Sequence, residues 1–171
     1  TSLGQAAKAT QNGAVAIGSL ANATNKAAAA LGRDSLASGE SSTALGSGAK
    51  AQGQYSFAGS VNANASGTQS IAVGRNATAH SDNSISQGSD SNAYKESDIA
   101  IGTNSVANGS EGVCNKGEKT NPSLPGGGAT GCDGSAVALG KEANATGTNA
   151  VAVGVGAKAS KKNTTALGSG A

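Results

Sequence analysis

The sequence predicts an all-β fold, a parallel β-roll solenoid built from 14-residue coils with two short strands each. Three observations lead there. Small-apolar-Gly triplets recur in one register: Ala16-Ile17-Gly18, Ala30-Leu31-Gly32, Ala44-Leu45-Gly46, Ala72-Val73-Gly74, Ala100-Ile101-Gly102, Ala138-Leu139-Gly140, Ala152-Val153-Gly154 and Ala166-Leu167-Gly168. Their glycine numbers advance in steps of 14, or of 28 where a copy is degenerate, and a fixed period of this kind marks a repeat architecture. A second half-motif, small-x-small-x-Gly, follows each triplet, as in Ala49-Lys50-Ala51-Gln52-Gly53 and Ala143-Asn144-Ala145-Thr146-Gly147. The composition excludes an ordinary globular core: aromatics are 2%, Met and Trp are absent, and the 36% hydrophobic share is mostly Ala. Low-complexity disorder would not hold Val, Ile and Leu at fixed intervals from Leu3 to Leu167.

Each element of the coil follows from residue type. Small residues alternate with larger ones in both half-motifs, the period-2 signature of a strand with one buried face. Gly, Asn and Ser dominate the two connections because they tolerate positive φ or make local hydrogen bonds. Stacked in parallel at about 4.8 Å per coil, such repeats make a rod. The bore of a two-strand coil is narrow, so Ala, Ser and Gly should point inward.

In the first strand the flanking residues are then forced outward: Val15 and Ile17, Leu31, Leu45, Phe57, Ile71 and Val73, Ile85, Ile99 and Ile101, Val137 and Leu139, Val151 and Val153, and Leu167. A stripe this long and apolar is too extensive to face water. It is expected to be a subunit interface in a closed symmetric bundle of identical chains. Spacing alone does not fix their number. Alanine burial contributes little against a backbone-ordering cost of about 1–2 kcal/mol per residue, which gives a second reason to expect partner subunits. The second strand presents Lys8, Asn22, Lys50, Asn64, Thr78, Asn92, Asn144 and Lys158 outward, a face suited to solvent.

Three repeats depart from the pattern. At Phe57-Ala58-Gly59-Ser60, Ser60 takes the turn glycine's slot and Gly59 the apolar slot, and Phe57 is expected to restore the lost volume. Gln87 takes an apolar slot in Ile85-Ser86-Gln87-Gly88. Between Gly102 and Gly140 the step widens to 38, read as two repeats plus ten extra positions, with Val113-Cys114-Asn115-Lys116 as a degenerate first strand. The whole chain, 1–171, is thus one domain with an inserted loop at about 115–131. Cys114 and Cys132 flank this Pro/Gly-rich stretch in neither zinc nor redox spacing, so an intrachain disulfide is expected, and with it an oxidising compartment.

Binding candidates are sparse. Lys8, Lys50 and Lys158 occupy equivalent outward registers, and Tyr55 and Tyr94 lie in polar turn registers. His80 stands without the Ser, Cys or carboxylate partners a catalytic constellation needs, and is read as a solvated turn residue. No cofactor or metal motif appears: Gly-Gly-x-Gly-x-Asp does not recur, and Gly126-Gly127-Gly128 lacks a phosphate loop's context. With 12 basic and 10 acidic residues spread along the chain, a nucleic-acid footprint is not expected. No apolar run approaches a membrane span, and Thr1 opens no signal peptide, so any anchor is expected outside this piece.

Gly67-Thr68-Gln69-Ser70-Ile71-Ala72-Val73-Gly74 and Gly147-Thr148-Asn149-Ala150-Val151-Ala152-Val153-Gly154 resemble the head repeat of trimeric autotransporter adhesins, the YadA-like or haemagglutinin-type head. The resemblance runs over almost the whole chain. It implies a left-handed roll, three chains about one axis, and display on the outer membrane of a Gram-negative bacterium, with a stalk and a β-barrel anchor elsewhere. It further implies a non-enzymatic head that binds host extracellular matrix proteins, cell-surface proteins or glycans. Two other readings stand beside it. A structural spacer or phage-type fibre shares the architecture without binding. A left-handed solenoid acyltransferase would use a six-residue period and an intersubunit His, which the 14-residue period disfavours.

Overall fold

In the computed structural model, residues 1–109 and 135–171 are described. They form two parallel sheets, one of 11 strands and one of 10, whose members alternate strictly along the chain. First strands such as Val15–Ile17 stack on Ala29–Leu31, and second strands such as Asn22–Ala23 on Leu36–Ala37. The register is 14 throughout the regular part: Val15 pairs with Ala29, Ile71 with Ile85, Lys50 with Asn64. Ten steps at about 4.8 Å give the first sheet a length of about 48 Å.

The interior is as narrow as the sequence requires. Every buried hydrophobic residue among those described is alanine, most of them at 0% exposure. Serine replaces alanine at several interior slots, and at many of them its hydroxyl donates to the carbonyl three residues earlier: Ser35 to Gly32 at 2.8 Å, Ser42 to Gly39 at 2.7 Å, Ser70 to Gly67 at 2.7 Å. A buried hydroxyl is thereby satisfied inside its own turn. Among the described residues the largest fully buried side chain is Asp98.

The first turn of each coil needs a residue with φ near +130°. Gly32 holds φ +132°, and a Cβ there would stand 2.5 Å from the Gly46 carbonyl oxygen. Ser60 occupies the same slot at φ +116°, a conformation that side-chain-bearing residues rarely adopt. Ser60→Gly should therefore relieve strain and stabilise the protein by about 1 kcal/mol. The check is a denaturation midpoint measured at fixed chain concentration; an unchanged or lower midpoint would show that Ser60 is not strained.

One expectation is corrected. Ile99 pairs directly with Val137, Ala100 with Ala138, and Val106 with Asn144. Among the described residues no strand lies between these layers, and the expected degenerate strand Val113-Cys114-Asn115-Lys116 lies outside them. The step of 38 is one coil plus 24 additional positions, not two coils plus ten. The additional chain enters between Gly109 and Ala136, at the second turn. The stack tolerates this because both sheets re-form their ladders on either side, and a turn, unlike a strand, need not keep a fixed length. The expected loop at 115–131 and the expected pair Cys114 and Cys132 lie outside the described residues.

Candidate binding surface

The two outer faces differ in chemistry. On the first sheet the bulky side chains are half-buried or exposed. Ile17, Ile71, Leu45 and Leu167 are exposed, with Leu45 at 49%. Val15, Leu31, Phe57, Val73, Ile85, Ile99, Ile101, Val137, Leu139, Val151 and Val153 are half-buried. Their shielding comes from stacked neighbours one coil above and below, as Ile101 is stacked between Gln87 and Leu139. The stripe is interrupted where the sequence departs. Gly59 carries no side chain, and the Phe57 ring lies over it, with Cε1 2.8 Å from where a Gly59 Cβ would be. Phe57 thus fills the missing volume from two residues away. Gln87 is exposed on this face between Val73 and Ile101.

The second sheet and the turns are polar. Lys8, Lys50 and Lys158 are exposed on it, each beside an asparagine in an adjacent strand: Lys8 pairs with Asn22, Lys50 with Asn64, Lys158 with Asn144. Three coils separate Lys8 from Lys50 and six separate Lys50 from Lys158, or about 14 and 29 Å. They are therefore a spaced series, not a cluster. The asparagines are less solvated than expected: Asn22, Asn64 and Asn144 are half-buried, with their Oδ1 atoms withdrawn from water. Leu36 and Val106 also occupy this column, so the polar face is not continuous.

Side-chain ladders run along the turns at the coil spacing. Asn76 donates to Asp90 Oδ1 at 2.8 Å, and Asn62 to Asn76 Oδ1 at 3.4 Å. Arg75 pairs with Asp90 at 3.1 Å. Hydrogen bonds from Asn76 and Ser89, aided by the Arg75 charge, hold the Asp90 carboxyl below its ordinary value. On the other turn Asn149 donates to Asn163 Oδ1 at 3.3 Å. The result is a repetitive display of amide, hydroxyl and charged groups.

Tyr55 lies exposed in a second turn at φ +58°. Tyr94 follows a second strand and stacks on His80, with ring centroids 4.9 Å apart and planes within 11°. The structure thus joins two residues that the sequence reading treated separately. Their spacing of 14, one coil, was the available signal. Partial burial pushes the His80 imidazole below its ordinary pKa. A second residue escaped the sequence reading. Asp98 occupies an interior column otherwise held by Ala, Ser or Thr, and a lone carboxylate in that column was the visible anomaly.

These features define a class: a two-sheet parallel solenoid whose interior is closed by its own small side chains, leaving only its outer faces for recognition. The family profile of the YadA head domain repeat (two copies) matches residues 1–21, 23–49, 37–58, 61–77, 65–91, 79–105, 93–113, 134–157 and 145–171. The chain belongs to the YadA head repeat family. The matches stop and resume around the insertion, in agreement with the pairing. Among solved structures, the collagen-binding domain of the Yersinia adhesin YadA shares the fold, with a TM-score of 0.50 and 20% identity over 92% of this chain and 67% of that one. Comparison with curated sequences returned no match.

Proposed function

We propose that this chain is a non-enzymatic adhesin head that works as a homotrimer on a bacterial surface and binds host extracellular matrix or cell-surface molecules. The observation that carries the reading is the segregation of side chains. Among the described residues, every bulky aliphatic side chain lies outside the coil and most lie on one sheet, while the opposite sheet and the turns carry the polar ladders. A partner for the apolar stripe must itself present apolar groups at the coil spacing over the whole rod, and a copy of this chain does so. Three copies, with Ile17, Ile71, Ile101, Leu139 and Val153 among the residues facing the axis, follow the family resemblance. The polar face of each copy then remains outward.

Adhesion is expected to be distributed over that face. Weak contacts repeated at each coil, and again on each partner, gain strength by multivalency. Extended matrix proteins or glycans match such an array better than compact ligands. Collagen is the first candidate, since the structural neighbour is a collagen-binding domain. The test is binding of the purified assembly to immobilised collagen, fibronectin and laminin and to epithelial cells. Alanine at Lys8, Lys50 and Lys158 should give partial losses that accumulate when combined, and deletion of residues 117–130 should leave binding largely intact. Complete loss from the deletion alone, in an assembly that still forms, would place binding on the insertion instead. Failure to bind any of these surfaces would favour the spacer reading.

A further inference from the structure

An ordinary second turn is closed by one main-chain bond, in which the last residue's N–H donates to the carbonyl three residues earlier. Ala28 donates to Asn25 at 3.2 Å, Ser42 to Gly39 at 3.3 Å and Ala150 to Gly147 at 3.0 Å. Between Gly109 and Ala136 this spacing is lost, because positions 110–135 separate them where two would serve. The Ala136 N–H donates instead to Asp98 Oδ1, at 2.6 Å. The other carboxylate oxygen accepts the N–H groups of Gly109 at 3.2 Å and Lys95 at 2.9 Å. Asp98 is fully buried, and its own N–H keeps the ordinary turn bond to Lys95 at 3.1 Å. The carboxylate therefore reaches from a regular coil to both ends of the interrupted one.

Chemistry explains why the column changes residue here. A serine in this slot has a proton to donate to its turn carbonyl, as Ser84 does to Ser81 at 2.6 Å. A carboxylate has none, and an ionised carboxylate in a dry interior is unfavourable unless its oxygens are hydrogen-bonded. Asp98 meets that condition with three main-chain donors, two of them at the ends of the interrupted turn. Charge-assisted bonds of this kind are the strong ones. Meanwhile the Ala136 N–H, buried at the edge of the interruption, needs an acceptor, and Asp98 supplies one. Each group supplies what the other needs.

We infer that Asp98 is an anchor that lets the solenoid open at this turn, accept an insertion and resume stacking in register. It is a positioning residue: it fixes Gly109 and Ala136, so the insertion is mounted on the rod at two set points. The inference is independent of what the outer surface binds. Residue-resolved amide exchange on the full chain tests it. Asp98→Ser, which installs a usual occupant of the column, should accelerate exchange at Ala136 by about tenfold or more, with Gly109 also affected. Val137, whose N–H donates to the Ala150 carbonyl, should change far less. In a chain lacking residues 110–133 the ordinary coil spacing is restored, and Ala136 recovers the Gly109 carbonyl. There the same substitution should leave exchange at Ala136 unchanged or slower. Equal effects in the two chains, or wild-type exchange at Ala136 in full-length Asp98→Ser, would overturn the inference. If the shortened chain does not fold, Asp98→Asn in the full chain decides. An amide offers one acceptor oxygen in place of two, so at least one of Lys95, Gly109 and Ala136 must exchange faster; wild-type rates at all three would overturn it.

Discussion

Ile101→Asp is expected to abolish assembly. Ile101 stands in the apolar stripe between Gln87 and Leu139, half-buried even in a single chain. In a three-chain bundle the substitution would bring three carboxylates together at one level of the axis. Each would lose its hydration without gaining a counter-charge, at a cost of several kcal/mol per ion, and the three would repel one another. Gln87, one coil away, indicates that a neutral polar group is compatible with this column; a charge is a different matter. The alanine interior supplies too little burial to hold a lone chain, so loss of assembly should be accompanied by loss of the β signal in circular dichroism. Sedimentation of wild type and variant at micromolar concentration checks this. Lys50→Asp, on the opposite sheet, is the control and should assemble normally. A wild-type chain that sediments as a stable folded monomer would remove the basis of the proposal, whatever the variant does.

The second large effect concerns the backbone. Gly32→Ala should destabilise the protein by about 3 kcal/mol or more. Two penalties act together. The φ of +132° strains any side-chain-bearing residue, and the new Cβ would stand 2.5 Å from the oxygen and 2.7 Å from the carbon of the Gly46 carbonyl in the next coil. Those atoms are fixed by both ladders, so neither coil can move without disturbing its neighbours. Gly156→Ala carries neither penalty and is the reference. Its φ is +68° and nothing lies within 4 Å of the added carbon. Ala6 and Ala27 already hold φ of 55° and 53° in turns of this molecule. That change should cost no more than about 1 kcal/mol. Equal losses from the two substitutions in chemical denaturation would mean that neither the φ of Gly32 nor its contact with Gly46 carries the cost.

Most of this architecture was legible in the sequence because a repeat averages out local ambiguity. One copy of Ala-Val-Gly says little. Copies from Leu3 to Leu167 in one register require the same strand, turn and face assignments in every coil, and the alternation of Ala with Ile, Val or Leu decides which face is inside. Phe57 beside Gly59 was readable for the same reason, since a departure from a strict pattern is visible and its compensation must be close by. What the sequence could not decide was where the pattern is broken by chain that does not belong to it. Val113-Cys114-Asn115 passes for a strand by residue type, and the wide step from Gly102 to Gly140 left room for two coils. The pairing of Ile99 with Val137 excludes the second, because a strand joins the stack only if both neighbours offer it their hydrogen bonds. The stacking of His80 on Tyr94 and the three bonds of Asp98 are likewise tertiary facts. Their residues sat at telling positions in the repeat, but the partners of a side chain depend on which coils lie next to each other in space. A one-dimensional register determines the strands, turns and faces of each coil; only the folded stack determines which donors an interior carboxylate meets.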